Sequence, residues 1–410
     1  MLASPRMIRR PKTILALLTA LNLLNYLDRL VVSAVLPKVR DELHLSNFVA
    51  GSLATVFLLG YFATSPLFGA LADRGARKGL IAMGVAVWSV ATFASGLAVG
   101  AASLVGARAL VGVGEASYAT LAPTIIDDAA PPERKGRWLA VFYVAMPLGA
   151  ALGYLVGGFV EKHWGWRHAF YVAGGPGIVL AGVCLLIKEP VRQKLAAKAD
   201  ILGNATKLWA VTHYRRGVLG YCAYTFAIGG FSFWAPTFLH DRYGLDLAEA
   251  NFKFGVITVL GGLIGTTLGG SWADRALKRL GATDDVTIAT VNLRVCAIGS
   301  MVGVPLTIAC FLAPTANIFF FFVLFAEIAL FLNTSPINAV VLRSSPPEIR
   351  ASAMALSIFA IHLLGDLWSP PFIGLLADHF PIAWAMMSVP AAIAISAVLW
   401  RPRAAEARGS

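Results

Sequence analysis

Apolar runs of membrane-spanning length follow one another along almost the whole chain, separated by short polar breaks. A helix needs about 20 mostly apolar residues to cross a hydrocarbon layer roughly 30 Å thick. About twelve runs reach that length, beginning near Thr13, Phe48, Gly79, Ala102, Gly136, His168, Gly217, Ala248, Ile288, Thr315, Ala351 and Ile382. The pattern predicts an all-α polytopic membrane protein with about twelve transmembrane helices and no sizeable soluble domain. The first run is too long for a signal-peptide core and no cleavage-like site follows it, so it is expected to remain as the first helix.

Only one polar stretch is long, Lys188 to Arg216. Its Glu189-Pro190 ends a helix, and its Lys/Arg-rich run reads as a cytoplasmic linker. The expected organisation is a six-helix bundle over 1–188, a linker over 189–216, and a second six-helix bundle over 217–410 with a short cytoplasmic tail. The two halves repeat. Gly69-Ala70-Leu71-Ala72-Asp73-Arg74 closes the second run, and Gly270-Ser271-Trp272-Ala273-Asp274-Arg275 closes the eighth. Pro131-Pro132-Glu133-Arg134 precedes the fifth run, and Pro346-Pro347-Glu348-Ile349-Arg350 precedes the eleventh. Two parallel repeats of six helices are the plan of many secondary transporters.

Composition agrees. Hydrophobic residues make up 58% of the 410 and charged residues 14%, against about 25% charged in a soluble protein. The net charge of +12 suggests nucleic acid until its distribution is followed. With a cytoplasmic N-terminus, most Lys and Arg fall on the cytoplasmic side, as the positive-inside rule requires. They cluster at Arg6, Arg9, Arg10 and Lys12, at Arg74 to Lys78, at Arg134 to Arg137, in the long linker, near Arg275, Lys278 and Arg279, and at Arg401, Arg403 and Arg408. The excess is therefore read as topology and contact with anionic membrane lipids, with no nucleic-acid partner. Both termini are expected in the cytoplasm, and the compact loops suggest a bacterial inner membrane.

The chemistry lies in the few charges inside the apolar runs. Asn25-Tyr26-Leu27-Asp28 is followed at once by Arg29, within the first run. A charge near the centre of such a helix costs about 2.5–3.5 kcal/mol even on the lenient insertion scale. Such groups line a water-filled pathway or binding cavity, or they form an ion pair that locks helices together. Arg108 and Glu115 are two turns apart in the fourth run and so share a face. With Asp28 and Arg29 they form a formally neutral set, assigned here to proton coupling. Asp28 or Glu115 takes the proton, and Arg29, paired with the ionised carboxylate, is released on protonation to hold an anionic headgroup. Burial opposes ionisation while the arginines favour it, and sequence leaves that balance open. Arg108 offers a planar fork suited to phosphate, or else snorkels to an interface.

The second half has fewer candidates. Asp366 and His362 are one turn apart, and Glu327 stands alone in the apolar run Phe319 to Phe331. The seventh run is rich in aromatic residues, including Tyr224, Phe231 and Trp234, around Gly229-Gly230. With Tyr26 and Tyr118 they could wall a cavity for an acyl chain, or simply pack. Glycines 149, 153, 157 and 158 of the fifth run suit close helix approach. Candidate substrate-binding residues are thus Arg29, Tyr26, Glu115, Tyr118, Tyr224, Phe231, Trp234, Glu327, His362 and Asp366.

Motifs for covalent chemistry and phosphate loops are absent, the seven histidines are scattered without metal-ligand spacing, and the four cysteines fall in predicted spans. No enzyme, cofactor, metal site or ATP drive is expected, so an ion gradient must power uphill movement.

Two resemblances follow from these residues. Gly69-x-Leu71-x-Asp73-Arg74-x-x-Arg77-Lys78 resembles the signature loop between helices two and three of the major facilitator superfamily. The chain departs from it at Ala76, where glycine is frequent, with Gly75 beside it. The resemblance implies conformational gating by Gly69, Asp73, Arg74, Arg77, Arg134, Arg137, Asp274 and Arg275. It also implies a proton-coupling role for Arg108, since an arginine near this place in the fourth helix is frequent in proton-coupled members. More narrowly, the chain resembles the spinster-like lipid transporters. The match rests on Asn25-Tyr26-x-Asp28-Arg29, on the run Gly112 to Asp127, on Val141-Phe142-Tyr143 through Tyr154, and on Trp234-Ala235-Pro236-x-Phe238-Leu239. What that implies is proton-coupled carriage of lysophospholipids or sphingoid phosphates by a monomer through alternating access. A carrier of small organic anions is the first alternative, since such carriers share the Asn-Tyr-x-Asp-Arg pattern. A non-transporting receptor or a lipid-modifying enzyme is the second.

Overall fold

The structure, a computed structural model, describes residues 8, 10–74, 77–190 and 201–401, without the side chains of residues 73, 74, 132, 201, 202 and 351. Among the described residues, twelve helical segments are long and apolar enough to cross a membrane. Their starts follow the apolar runs closely, and no strand interrupts them among the described residues. The chain forms two compact units.

The first unit comprises Met1–Leu195 with Gly244–Gly255. Its helices are α1 (Pro11–Glu42), α2 (Asn47–Arg74), α3 (Arg77–Ser95), α4 (Ala101–Ala129), α5 (Lys135–Trp164) and α6 (Trp166–Leu185). Proline at the start of α1 suits a first turn whose N–H has no helical partner. The pairing α1 on α5, α2 on α4, and α3 on α4 and α6 builds the unit. Glycine sets the tightest of these contacts. A Cβ on Gly149 or Gly153 of α5 would stand 2.4 Å from the Leu23 carbonyl oxygen or 2.6 Å from that of Leu27. Only glycine admits that approach, and it fixes the register of α1, the helix carrying Asp28 and Arg29.

The second unit comprises Ala196–Tyr243 and Val256–Ser410. Its helices are α7 (Ile201–Ala210), α8 (Thr212–Tyr243), α9 (Leu247–Leu280, whose first residues belong to the first unit), α10 (Asp285–Leu312), α11 (Ala316–Phe331), α12 (Thr334–Arg343), α13 (Arg350–Ile361), α14 (Ser369–His379), α15 (Ile382–Ala385) and α16 (Ser388–Trp400). Helix α10 is capped by Asp284, whose carboxylate accepts from Thr287 N at 2.8 Å. That N–H holds the Asp284 carboxyl below the ordinary carboxylate range. Trp400 of α16 donates to the Gly217 carbonyl of α8 at 3.0 Å.

Local structure departs from the sequence expectation in four places. The stretch read as linker contains α7, because Leu208 is buried with Tyr214 and Val218 in an apolar cluster. Helix α8 begins at Thr212, earlier than the Gly217 start. The tenth span is divided at Leu332-Asn333 and the eleventh contains a π-helical turn, His362–Asp366. At the first break, Asn333 is buried and its Nδ2 donates to Ser300 Oγ at 3.1 Å, while Ser396 Oγ donates to the same hydroxyl. This polar cluster satisfies part of the backbone and side-chain demand that a broken helix creates inside an apolar layer.

Candidate functional site

Adjacent residues of a helix point about 100° apart, so Asp28 and Arg29 leave α1 in different directions. Helix α4 meets both, because its own charges are two turns apart. Arg108 Nη1 lies 3.4 Å from Asp28 Oδ1, and Arg29 Nε lies 2.8 Å from Glu115 Oε2. The four charges thus form two crossed ion pairs between the same two helices. Each carboxylate faces a guanidinium, which offsets the burial cost of both.

The pairs differ in their surroundings. Asp28 is fully buried, and its second oxygen accepts a hydrogen bond from the Thr92 hydroxyl of α3. Its partner Arg108 is 2% exposed at the side chain and leaves Nε without a hydrogen-bond partner. Arg108 is therefore an interior residue and does not snorkel. In the other pair Glu115 is fully buried, with Oε1 unpartnered, whereas the Arg29 side chain is 21% exposed. Of the four, Arg29 alone reaches open space. Its guanidinium is 4.8 Å from the Tyr26 ring centre, 5.0 Å from Phe57 and 5.6 Å from Tyr61, within cation–π range.

Other expected site residues fall elsewhere. Tyr118 is fully buried, donates its hydroxyl to the Leu18 carbonyl and packs its ring 5.5 Å from Trp88. In the second unit Tyr224 donates to the Leu330 carbonyl at 3.1 Å, Trp234 donates to the Pro370 carbonyl at 2.9 Å, and the Phe231 ring lies 5.5 Å from Phe311. All three are buried. In this conformation these four aromatic residues are buried and packed, with the hydroxyls of Tyr118 and Tyr224 and the Trp234 N–H bonded to backbone carbonyls.

Glu327 is 3% exposed, and Thr258 Oγ1 lies 3.5 Å from its Oε1. His362 Nδ1 is 2.9 Å from Asp366 Oδ2 across the π-helical turn, both side chains partly exposed. The structure thus gathers Tyr26, Asp28, Arg29, Arg108 and Glu115 into one cluster, while Glu327 and the His362–Asp366 pair each stand with partners of their own.

Among the gating candidates, Arg77 is buried and bound inside its own unit. It reaches Asp128 Oδ2 at 2.7 Å, Thr124 Oγ1 at 3.1 Å and Glu189 Oε2 at 3.9 Å. Glu189 Oε1 also accepts from Lys78 N, at the start of α3. Arg134, Arg137, Asp274 and Arg275 are exposed and Gly69 is half-buried. The side chains of Asp73 and Arg74 lie outside the described residues, as do Gly75, Ala76, Arg6, Arg9, Arg403 and Arg408. Among the described residues no group of three or more His, Cys, Asp or Glu side chains is arranged to hold a metal ion.

Sequence reasoning missed Thr92, Phe57 and Tyr61. A lone threonine in an apolar run carries no signal. The spacing of Phe57 and Tyr61, one turn apart on α2, marks a shared face but not what it meets.

Comparison with known proteins places the chain in a family. The Major Facilitator Superfamily model matches residues 18–365. Protein spinster of Drosophila melanogaster is 35% identical over 372 residues, which cover 87% of this chain and 60% of that protein. Probable sphingolipid transporter spinster homolog 1 of Arabidopsis thaliana is 31% identical over 95% of this chain and 88% of its own length. Human protein spinster homolog 1 is 34% identical over 92% of this chain and 74% of its own length. In fold, the chain resembles the crystal structure of a bacterial homolog of the human lysosomal transporter Spinster, with TM-score 0.80 at 22% identity, covering 95% and 94% of the two chains. A D-xylose–proton symporter follows at TM-score 0.75 and 17% identity, covering 96% and 97%. The chain therefore belongs to the spinster-type transporters of the Major Facilitator Superfamily, a multi-pass membrane carrier and not an enzyme.

Proposed function

We propose that this chain carries lysophospholipid-like or sphingoid-phosphate-like amphipathic lipids across the membrane, coupled to protons through Glu115 and Arg29. One observation carries the reading. Arg29 is the only one of four buried charges that is partly open, and it is held by a carboxylate with an unused oxygen. Asp28 has both oxygens engaged, one by Arg108 and one by Thr92. Glu115 Oε1 is therefore the better proton acceptor of the two. A proton added there converts the carboxylate to a neutral acid and removes the Coulombic hold on Arg29. The released guanidinium then offers its fork of donors to an anionic headgroup. When the proton leaves, Glu115 takes Arg29 back and the headgroup is let go. Asp28 and Arg108 stay paired throughout and keep the rest of the interior neutral.

The names of the relatives support a lipid cargo, sphingolipid in the Arabidopsis proteins. In this reading the carrier is a monomer of a bacterial inner membrane, works by alternating access between its two bundles, and keeps both termini in the cytoplasm. Arg77, with Asp128 and Glu189, forms a fixed cytoplasmic anchor of the first unit, and the exposed Arg134, Arg137, Asp274 and Arg275 supply the changing contacts.

The test uses purified protein in liposomes, radiolabelled lysophospholipid, and an imposed pH gradient. Wild type should respond to the gradient, while Glu115→Gln should keep a flux that ignores it. Gradient-driven flux retained in Glu115→Gln and lost only in Asp28→Asn would move the proton to Asp28. No lysolipid flux from folded protein, together with uptake of short dicarboxylates, would replace the lipid reading with that of a small-anion carrier.

A further inference from the structure

The two ion pairs feel each other's charges directly. They also share an aromatic ring. Phe57 of α2 has its ring centre 5.0 Å from the Arg29 guanidinium carbon and 5.3 Å from that of Arg108. Its position is dictated by the crossing of α2 and α4. A Cβ on Gly112 would stand 2.0 Å from the Phe57 carbonyl oxygen, and one on Gly60 would stand 2.4 Å from the Ala109 carbonyl oxygen. The two backbones therefore lie in contact at Phe57 and again at Gly60, one turn further along α2. Gly112 falls between Arg108 and Glu115 in sequence, so this crossing delivers the ring to the midpoint of the charge set. Phe57 is 5% exposed, and a guanidinium held against a ring away from water gains more from it than one at a surface.

We infer that Phe57 is a positioning residue of the coupling site: its single ring supports both guanidinium groups, the one that is released and the one that stays paired. The inference rests on the reading of Glu115 and Arg29 given above. The groups that face the ring and its cations are Tyr26, Asp28 and Arg29 from α1, Tyr61 from α2, and Arg108 and Glu115 from α4, with Thr92 of α3 the uncharged partner of Asp28 and Tyr143 of α5 beside Tyr26 and Tyr61. An anion beside a guanidinium cancels much of the charge that the ring attracts. Protonation of Glu115 removes the anion, so the ring holds the unpaired Arg29 more strongly than the paired one. Phe57 thereby favours the protonated state and keeps the freed Arg29 in place for a headgroup. Because the ring also faces Arg108, the Asp28 pair is felt by the same contact.

Two measurements test this. In liposomes, Phe57→Leu and Phe57→Met should move the pH midpoint of lysolipid flux toward acid by roughly half to one unit, since more protons are then needed to free Arg29. Phe57→Tyr, which keeps the ring, should stay near the wild-type midpoint. An unshifted midpoint in both ring-less variants, in protein whose wild-type flux follows the gradient, would overturn the inference and leave the coupling reading intact. If wild type shows no pH-driven flux, the coupling reading fails first, and the ring is judged by stability alone. Melting of purified protein is then compared in double-mutant cycles of Phe57→Leu with Arg29→Gln and with Arg108→Gln. Non-additive losses in both cycles are expected. Additive losses in either cycle would make Phe57 a filler of space and overturn the shared-ring assignment.

Discussion

Removing the two buried carboxylates should have unequal effects on stability, because the arginines they leave behind stand in different surroundings. Asp28→Asn keeps the shape of the side chain but removes its charge. Arg108 is then an uncompensated cation, 2% exposed at the side chain and with Nε already unpartnered. Breaking a buried pair from one side costs about 3–5 kcal/mol, and the retained amide oxygen places this variant near the lower end. Glu115→Gln leaves Arg29, which is 21% exposed and has the rings of Tyr26, Phe57 and Tyr61 within 5.6 Å. Water and rings together offset much of the loss, with cation–π contacts contributing up to about 2 kcal/mol where desolvated. Glu115→Gln should therefore cost only about 1–2 kcal/mol. Thermal melting of the purified variants in detergent, followed by intrinsic fluorescence, gives the order wild type, Glu115→Gln, Asp28→Asn. The double variant Asp28→Asn with Arg108→Gln should recover most of the loss, since no orphaned charge remains. Equal or reversed melting of the single variants, or a double variant no more stable than Asp28→Asn, would refute the electrostatic reasoning.

Further outcomes concern the scaffold. Gly153→Ala places a Cβ 2.6 Å from the Leu27 carbonyl oxygen, so α1 must withdraw, at about 1–3 kcal/mol; melting should fall, and under the proposed function lysolipid flux falls with it because Asp28 and Arg29 move along with α1. Gly182→Ala, whose Cβ meets nothing within 4 Å, is the control and should melt at or slightly above the wild-type temperature. Asp284→Ala removes the α10 cap and should lower the melting temperature at neutral pH. Because its carboxyl is held below the ordinary range in the folded protein, the cap stabilises above the ordinary carboxylate pKa and fades as pH falls through the lowered one. The melting difference between wild type and Asp284→Ala should therefore shrink in acid.

The spans were readable because a bilayer imposes a length on every apolar run, and twelve such runs leave little else for the chain to be. Their interruptions were not. Asn333 lies in a strongly apolar stretch and divides the tenth span only because Ser300, itself bonded by Ser396 from a distant part of the chain, receives its side chain. Helix α7 was hidden by the Lys/Arg-rich stretch around it, since among its described residues apolar burial rests on Leu208, in the cluster with Tyr214, while the buried Asn204 is polar.

The site divides along the same line. A charge inside an apolar helix is conspicuous in sequence because it is costly, and that cost singled out Asp28, Arg29, Arg108 and Glu115. Aromatic residues carry no such penalty, so Tyr118 and Trp234 looked like cavity walls as readily as core. Nor does cost reveal partnership. Spacing alone allows Asp28 to face Arg108, or Asp28 to compete with Glu115 for Arg29. The choice depends on the height of α1 against α4, and that height is set by a third helix. Gly149 and Gly153 of α5 receive the backbone of α1 at Leu23 and Leu27, and Leu27 is the residue next to Asp28. One turn of slippage on that glycine face would lift α1 by about 5.4 Å, more than the span of either ion pair. The proposed coupling chemistry thus hangs on residues that have no side chain, which is why its candidates were visible in the sequence and its wiring was not.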